Sequence, residues 1–339
     1  MKISLWKLNL LIATVFLFVA FASAQTEREK GIELFKQGKN KEAVAALEKA
    51  SKENKTDAAV WNYLGLAYLK SDNLKKALKA LEKAVSYDAQ NATYQTNLAY
   101  AYLLGNKLNK AQEESTKAIA LNGQNADAFY VRGSASLAEG KYNNAIDDAD
   151  HAVAVNSDYS LAYILKSDAL LSNFGKCIGI GVKPIDYLNL LEQSREVLKK
   201  CLKECKNNSY IQLQQQRLDA VETFYNYFEK RKDADLGEPS AVSQPTLPNP
   251  NFVPILITSK PHPSYTDEAR QAGVTGTIKI LTLFAGSGHV THTLVLKGLG
   301  YGLNENAVKV ARAIKFTPAL ENGKPVSQVK IIEYSFAIY

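Results

Sequence analysis

The chain is poor in the residues that usually carry chemistry. It has three cysteines and four histidines in 339 residues. His151 and His262 are isolated. His289 and His292 are three apart on an expected strand, so they point to opposite faces, which is poor geometry for a metal. The cysteines have no histidine near them in sequence, and three thiols alone do not close a tetrahedral zinc site. Gly175, Gly179 and Gly181 make a glycine-rich stretch, but no Gly-Lys-Ser/Thr follows as a phosphate loop requires. No Ser-His-Asp order and no pair of carboxylates on a shared face stands out. Catalysis, a cofactor, a metal and a small-molecule substrate are therefore not expected. Charge argues against nucleic acid. The formal net charge is +7, of which +3 falls in residues 25–231 and +4 in residues 252–339, with no basic stripe on one face.

What is present begins at the N-terminus. Lys2 and Lys7 precede a run, Leu8 to Phe21, that is apolar apart from Asn9 and Thr14, and Ala22-Ser23-Ala24 is a small-x-small cleavage site before Gln25. This is the pattern of a secretory signal peptide over residues 1–24. The alternative is an uncleaved anchor, since Leu8 to Ala24 approaches the lower limit for spanning a bilayer.

Internal repetition dominates the next two hundred residues. Gly31, Gly65, Ala99, Gly133 and Ser167 recur every 34 residues, as do Ala43, Ala77, Ala111 and Ala145, and Ala50, Ala84, Ala118 and Ala152. Small residues at a fixed period mark the places where paired helices cross closely. Asp72-Asn73, Gly105-Asn106 and Glu139-Gly140-Lys141 read as the turns. The pattern resembles tetratricopeptide repeats, best in Trp61, Leu64, Gly65, Tyr68, Ala77, Leu81 and Ala84. Four units fit, at about 25–57, 58–91, 92–125 and 126–159, within a helical domain over 25–231. Lys30, Arg132 and Lys166 stand where the repeat usually has an apolar residue, and the usual proline near each repeat end is absent, so individual repeats are expected to pack loosely.

An irregular fifth unit and a capping helix occupy 160–231, as an array needs to close its exposed core. Ser172 to Pro184 reads as an inserted glycine-rich loop. Helices are expected at Ile185 to Lys206 and at about Ser209 to Arg231. All three cysteines, Cys177, Cys201 and Cys205, fall here. Export permits a disulfide, and Cys177 with Cys201 or Cys205 would pin the loop to the following helix. Buried inert thiols are the alternative. The repeat register lines a concave surface with Asn62, Lys70, Thr96, Tyr100, Tyr130 and Ser134 among its residues, a groove for a peptide or a partner helix or else the plain exterior of a spacer.

Five of the ten prolines lie between Asp233 and Pro254. Residues 232–254 read as a Pro-rich linker, which at roughly 3 Å per residue reaches about 60–70 Å when stretched. Beyond it, residues 255–339 form a small α+β module. Gly276 to Phe284 alternates, with Ile278, Ile280, Thr282 and Phe284 on one face and Thr277, Lys279, Leu281 and Leu283 on the other. A turn at Ala285 to Gly288 leads to a strand from His289 to Lys297. Leu303, Ala307, Val310, Ala311 and Ile314 have helical spacing, with Asn304 as the expected N-cap. Pro318 ends the helix, Asn322-Gly323 turns, and Lys330 to Tyr339 is the last strand.

These residues resemble the TonB C-terminal domain. The resemblance rests on Pro263, Tyr265, Ala269, Arg270, Gly276, Gly288, Val290, Gly302, Leu303, Ala307, Phe316, Pro318, Ala319, Asn322 to Val326 and Phe336. One departure is Tyr265-Thr266 where the family usually has Tyr-Pro. The expected fold is thus an all-α tetratricopeptide solenoid followed by a small α+β domain with a three-stranded antiparallel sheet. The resemblance implies a binding module that pairs a strand edge with an extended segment of an outer-membrane receptor or other envelope protein, in the periplasm. A sheet this small leaves edges open to strand addition, and Glu333, Tyr334, Ser335 and Phe336 of the end strand are the expected edge. Two readings follow. One is an exported adaptor whose groove takes a second protein. The other is an inner-membrane-anchored energy transducer that couples a proton-driven motor to a receptor, with the N-terminal segment in the membrane.

Overall fold

The computed structural model describes residues 27–179, 184–205, 211–230 and 251–338. The expected signal peptide or anchor lies outside these residues, as does most of the expected linker. Among the described residues no helix is long and apolar enough to cross a membrane. The chain divides into two compact units, Met1–Glu139 and Gly140–Tyr339, and each is taken by itself.

The described residues of the first unit form helices joined by short turns. Helix α1 covers residues 27–36. It is followed by α2 (Asn40–Glu53), α3 (Ala58–Leu69), α4 (Leu74–Tyr87), α5 (Ala92–Leu104), α6 (Leu108–Leu121) and α7 (Ala126–Ala138). The 34-residue period sets the caps. Asp57, Asn91 and Asn125 precede α3, α5 and α7, and each side chain accepts from backbone N–H groups of the first turn. That satisfies donors the helix itself leaves unpaired. Between paired helices, Gly38, Asp72 and Asn106 take left-handed backbone at φ 76°, 56° and 52°, the conformation that Gly, Asn and Asp tolerate best.

The small residues act as the spacing predicts. A Cβ added to Gly65 would lie 2.5 Å from Leu81 Cγ, and one added to Gly31 would lie 2.6 Å from Leu47 Cγ. In the next repeat these two positions hold Ala99 and Ser115, both 0% exposed. Where the small residue grows, its counterpart shrinks, which keeps volume constant at the crossing. A polar contact repeats with the same period. The Tyr102 hydroxyl donates to Glu82 Oε1 at 2.8 Å, and Tyr68 donates likewise to Glu48. Burial first, and the adjacent carboxylate second, push both phenols well above the ordinary range. The guanidinium of Arg132, expected to loosen its repeat, lies 5.6 Å from the centre of the Phe129 ring and adds to the packing.

The second unit starts with α8 (Tyr142–Val155), α9 (Ser160–Gly179), α10 (Pro184–Glu204) and α11 (Ile211–Glu229). The sequence reading of a loop from Ser172 is corrected here: residues 172–179 continue α9 as helix. Leu171, Phe174 and Ile178 are buried along it. Gly175 serves close packing rather than a turn, since a Cβ there would stand 3.0 Å from Leu296 Cβ.

The C-terminal elements are β1 (Phe252–Val253), β2 (Leu256–Ser259), α12 (Asp267–Gln271), β3 (Gly276–Phe284), β4 (Val290–Lys297), α13 (Leu303–Arg312), β5 (Lys315–Thr317), β6 (Ala319–Glu321), β7 (Lys324–Val326) and β8 (Gln328–Phe336). The main sheet is antiparallel with order β4-β3-β8, and β1-β6-β7 and β2-β5 are small sheets that sequence periodicity did not reveal. Strands of two to four residues carry too few positions to show alternation. Since β1 pairs with β6, Phe252 and Val253, expected at the end of the linker, are part of the folded module.

Two cores lie on opposite faces of the main sheet. On one, Ile278, Ile280 and Phe284 of β3 and Ile332, Tyr334 and Phe336 of β8 pack with Leu303, Ala307 and Ala311 of α13. On the other, Leu281, Leu283, Leu294, Leu296 and Val329 pack with Phe174, Tyr187, Leu191, Leu198, Val221 and Phe224 from α9, α10 and α11. Asn304 is not the N-cap of α13. Gly302 takes that place at φ 74°, and Asn304 Oδ1 instead accepts from Leu299 N at 2.9 Å. The glycine at 302 supplies a left-handed entry that an Asn cap would not.

Candidate partner-binding surfaces

In the first unit, Asn62 and Thr96 are 4% and 5% exposed. Asn62 Oδ1 accepts from Asn97 Nδ2 at 2.8 Å, and Thr96 Oγ1 accepts from Asn125 Nδ2 at 2.9 Å. The first bond joins successive repeats, and the second joins α5 to the residue that caps α7. These two side chains were expected to line a groove, but they are taken up inside the array, because a buried polar group must find a partner and a nearby asparagine supplies it in each case. Lys70 and Tyr100 are exposed, and Tyr130 and Ser134 are half-buried. Sequence reading missed Leu104, which is 40% exposed one helical turn beyond Tyr100. Together they make an apolar strip on α5. An apolar residue at the end of a helix is the signal that would have found it.

In the second unit, β8 and β4 are the outer strands of the main sheet. They differ in cover. Helices α9, α11 and α13 pack along β4, whereas the principal neighbour of β8 is β3. Within β8 the four expected edge residues alternate: Tyr334 and Phe336 are 2% and 5% exposed, while Glu333 and Ser335 are exposed. The buried pair anchors the strand and the exposed pair lines it. Glu333 also pairs with Lys279 across the sheet at 2.7 Å, and Ser335 hydrogen-bonds Thr277 at 3.2 Å. Lys260 Nζ lies 4.9 Å from the centre of the Tyr334 ring and donates to the Glu333 carbonyl at 2.9 Å. Burial pushes the Tyr334 phenol up to about 12.

The residues that carried the family resemblance are mostly structural. Tyr265 donates its hydroxyl to the Val274 carbonyl and stands edge-on to Phe336, ring centres 5.3 Å apart. Ala269, Leu303, Ala307 and Ala319 are 0% exposed. Asn322 and Gly323 make the left-handed turn at φ 52° and 77°. Thr266, in place of the usual proline, caps α12: its Oγ1 accepts from Ala269 N at 3.1 Å and donates to Tyr301 O at 2.6 Å.

The three cysteines are free thiols. Cys177 packs at the border of the core shared by α9–α11 and the sheet, while Cys201 and Cys205 are buried beside Tyr163 in another cluster. The Sγ atoms of Cys201 and Cys205 are 3.2 Å apart. Burial pushes the Cys201 thiol up to about 12 and raises Cys205 as well. Among the described residues no three His, Cys, Asp or Glu side chains gather as a metal site would need.

Comparison with known proteins matches two separate parts of the chain. The family described as Gram-negative bacterial TonB protein C-terminal matches residues 261–338, and a tetratricopeptide repeat family matches residues 34–99. Both are families of protein-interaction domains. A search of curated proteins finds no match. Among solved structures, the chain is similar to a crystal structure of MamA protein at 21% identity and TM-score 0.44, over 54% of this chain and 91% of that one. Pseudomonas aeruginosa pilF matches at 16% identity and TM-score 0.48, over 62% and 92%. TTC0263, a thermophilic TPR protein of Thermus thermophilus, matches at 19% identity and TM-score 0.44, over 61% and 100%. At such identities and scores these three carry nothing about function.

Proposed function

We propose that the protein is a non-enzymatic adaptor of the bacterial cell envelope. Its C-terminal module takes an extended segment of an outer-membrane transporter or another envelope protein as an added strand, and its helical repeats recruit a second protein. The observation that carries this reading is β8. It is an outer strand with a single strand neighbour among the described residues, helices lie closer along β4 than along it, and Glu333 and Ser335 stand exposed along it. Unpaired strand edges bind extended peptides through backbone hydrogen bonds. The TonB C-terminal family match supports the envelope setting. Tyr100 with Leu104 is the surface of the repeats best suited to the second partner, and Lys70, Tyr130 and Ser134 remain part of the groove expected from the repeat register.

The test is a photo-crosslinking amino acid at Ser335, introduced in the native host. The expected adduct is an envelope protein, and it disappears when Glu333→Pro removes a backbone donor from the edge. Far-ultraviolet circular dichroism checks that the variant keeps its fold. Adducts that persist unchanged in Glu333→Pro would rule out strand addition at β8.

A further inference from the structure

We propose that the C-terminal module is not a free domain on a tether. Helices α9, α10 and α11 are a structural layer of it, held by a self-complementary interface that outlasts the covalent connection.

The sheet itself points to this. A small sheet with one solvated face shows clean alternation, but β3 ends in Ile280-Leu281-Thr282-Leu283-Phe284, apolar on both faces. Leu281 and Leu283 are 1% and 9% exposed, and Leu294 and Leu296 of β4 are 3% and 2% exposed. What covers them is α9–α11 of the same chain. The cover stops where the face turns polar, at the Lys279–Glu333 and Thr277–Ser335 pairs.

The fit is specific as well as apolar. Leu296 lies so close to Gly175 that any side chain there would have to displace it. The Ser172 hydroxyl donates to the Leu296 carbonyl at 2.8 Å, and the Tyr227 hydroxyl to the Ser327 carbonyl at 3.4 Å. These bonds join residues 124 and 100 positions apart. The segment 231–250 therefore connects two ends already packed in one unit, and its stretched length does not set the reach of the module. If β8 binds a partner strand, as proposed above, a pull on that strand loads α9–α11 through the sheet.

The experiment makes no use of a partner, so its outcome is separate from that of the β8 reading. A protease site flanked by glycine and serine is inserted after Pro245 in the full chain, the chain is cut, and the product is run by gel filtration with light scattering. The expected result is one species with the elution volume and mass of the uncut protein. The same nick in Leu296→Asp or Gly175→Leu is expected to release the C-terminal piece. Separation of the unsubstituted halves overturns the proposal. So does co-elution at twice the mass, which would put the helices of one copy on the sheet of another. Retention of the C-terminal piece in both variants would show that a different surface holds it.

Discussion

At the residue scale, two kinds of side chain set the behaviour of this protein: small residues at helix crossings and buried ionisable groups. Gly65 illustrates the first. Alanine there gains about 0.5–1 kcal/mol of helix propensity, but its Cβ would meet Leu81 Cγ at 2.5 Å, and overpacking costs about 1–3 kcal/mol. Gly65→Ala is therefore expected to lower the urea midpoint, and adding Leu81→Ala, which imitates the Ala99/Ser115 crossing, to cost less than the two single changes summed. Strict additivity of the two would show that the crossing is not tight. The second kind gives a pH dependence. Burial pushes Tyr163, Tyr187, Tyr334 and Cys201 up to about 12. The folded chain then keeps protons that the unfolded chain releases near pH 8.5 for Cys and 10 for Tyr. This contribution is complete below those values and is lost as pH rises toward about 12. Melting temperature is expected to be flat up to about pH 8.5 and to fall above it, less steeply in Tyr334→Phe. An identical alkaline slope in that variant would remove Tyr334 from the explanation.

At the scale of elements, caps decide where helices begin, and the structure rather than the sequence reading located them. Asp57, Asn91 and Asn125 follow the 34-residue period and each caps a helix. Asn304 has the residue type of a cap but sits inside its helix, because Gly302 had already supplied the entry. Residue type alone does not distinguish those cases. Thr266 is the departure from the family pattern, and its hydroxyl works on two elements, α12 and the Tyr301 loop. Thr266→Ala is expected to cost about 1 kcal/mol, while Thr266→Ser keeps most of the stability. Equal denaturation midpoints for the alanine and serine variants would show that the cap contributes nothing. The loop expected from Ser172 failed for a related reason: glycine at 175 was read as a turn former, when its use is to admit Leu296.

At the scale of the molecule, the central observation is that the second unit has a helical layer and a sheet around one core. Leu296→Ala removes a side chain buried between them and is expected to cost about 2–5 kcal/mol. Hydrogen exchange should then quicken together in α9, β3 and β4, because all three share the core, and stay unchanged in α3 and α4 of the first unit. Faster exchange confined to β3 and β4 would mean that the helices and the sheet open separately. The edge strand β8 belongs to this scale too, since which strand is outermost follows from the pairing of the whole sheet.

The sequence by itself determined the repeat period, the helices of the array, and the three long strands of the C-terminal module with one of their faces. These depend on neighbours within a few positions or on a fixed repeat, so they are written as local patterns. The tertiary structure decided what local patterns cannot express: that Asn62 and Thr96 are consumed inside the array, that Cys177 lies in a different core from Cys201 and Cys205, that β8 is an outer strand of the main sheet, and that α9–α11 cover the second face of the sheet. Leu281 and Leu283 announced a covered face without naming the cover. The partner is joined by contacts such as Ser172 to Leu296, 124 residues apart, where shape complementarity between distant segments, and no periodicity, selects the match.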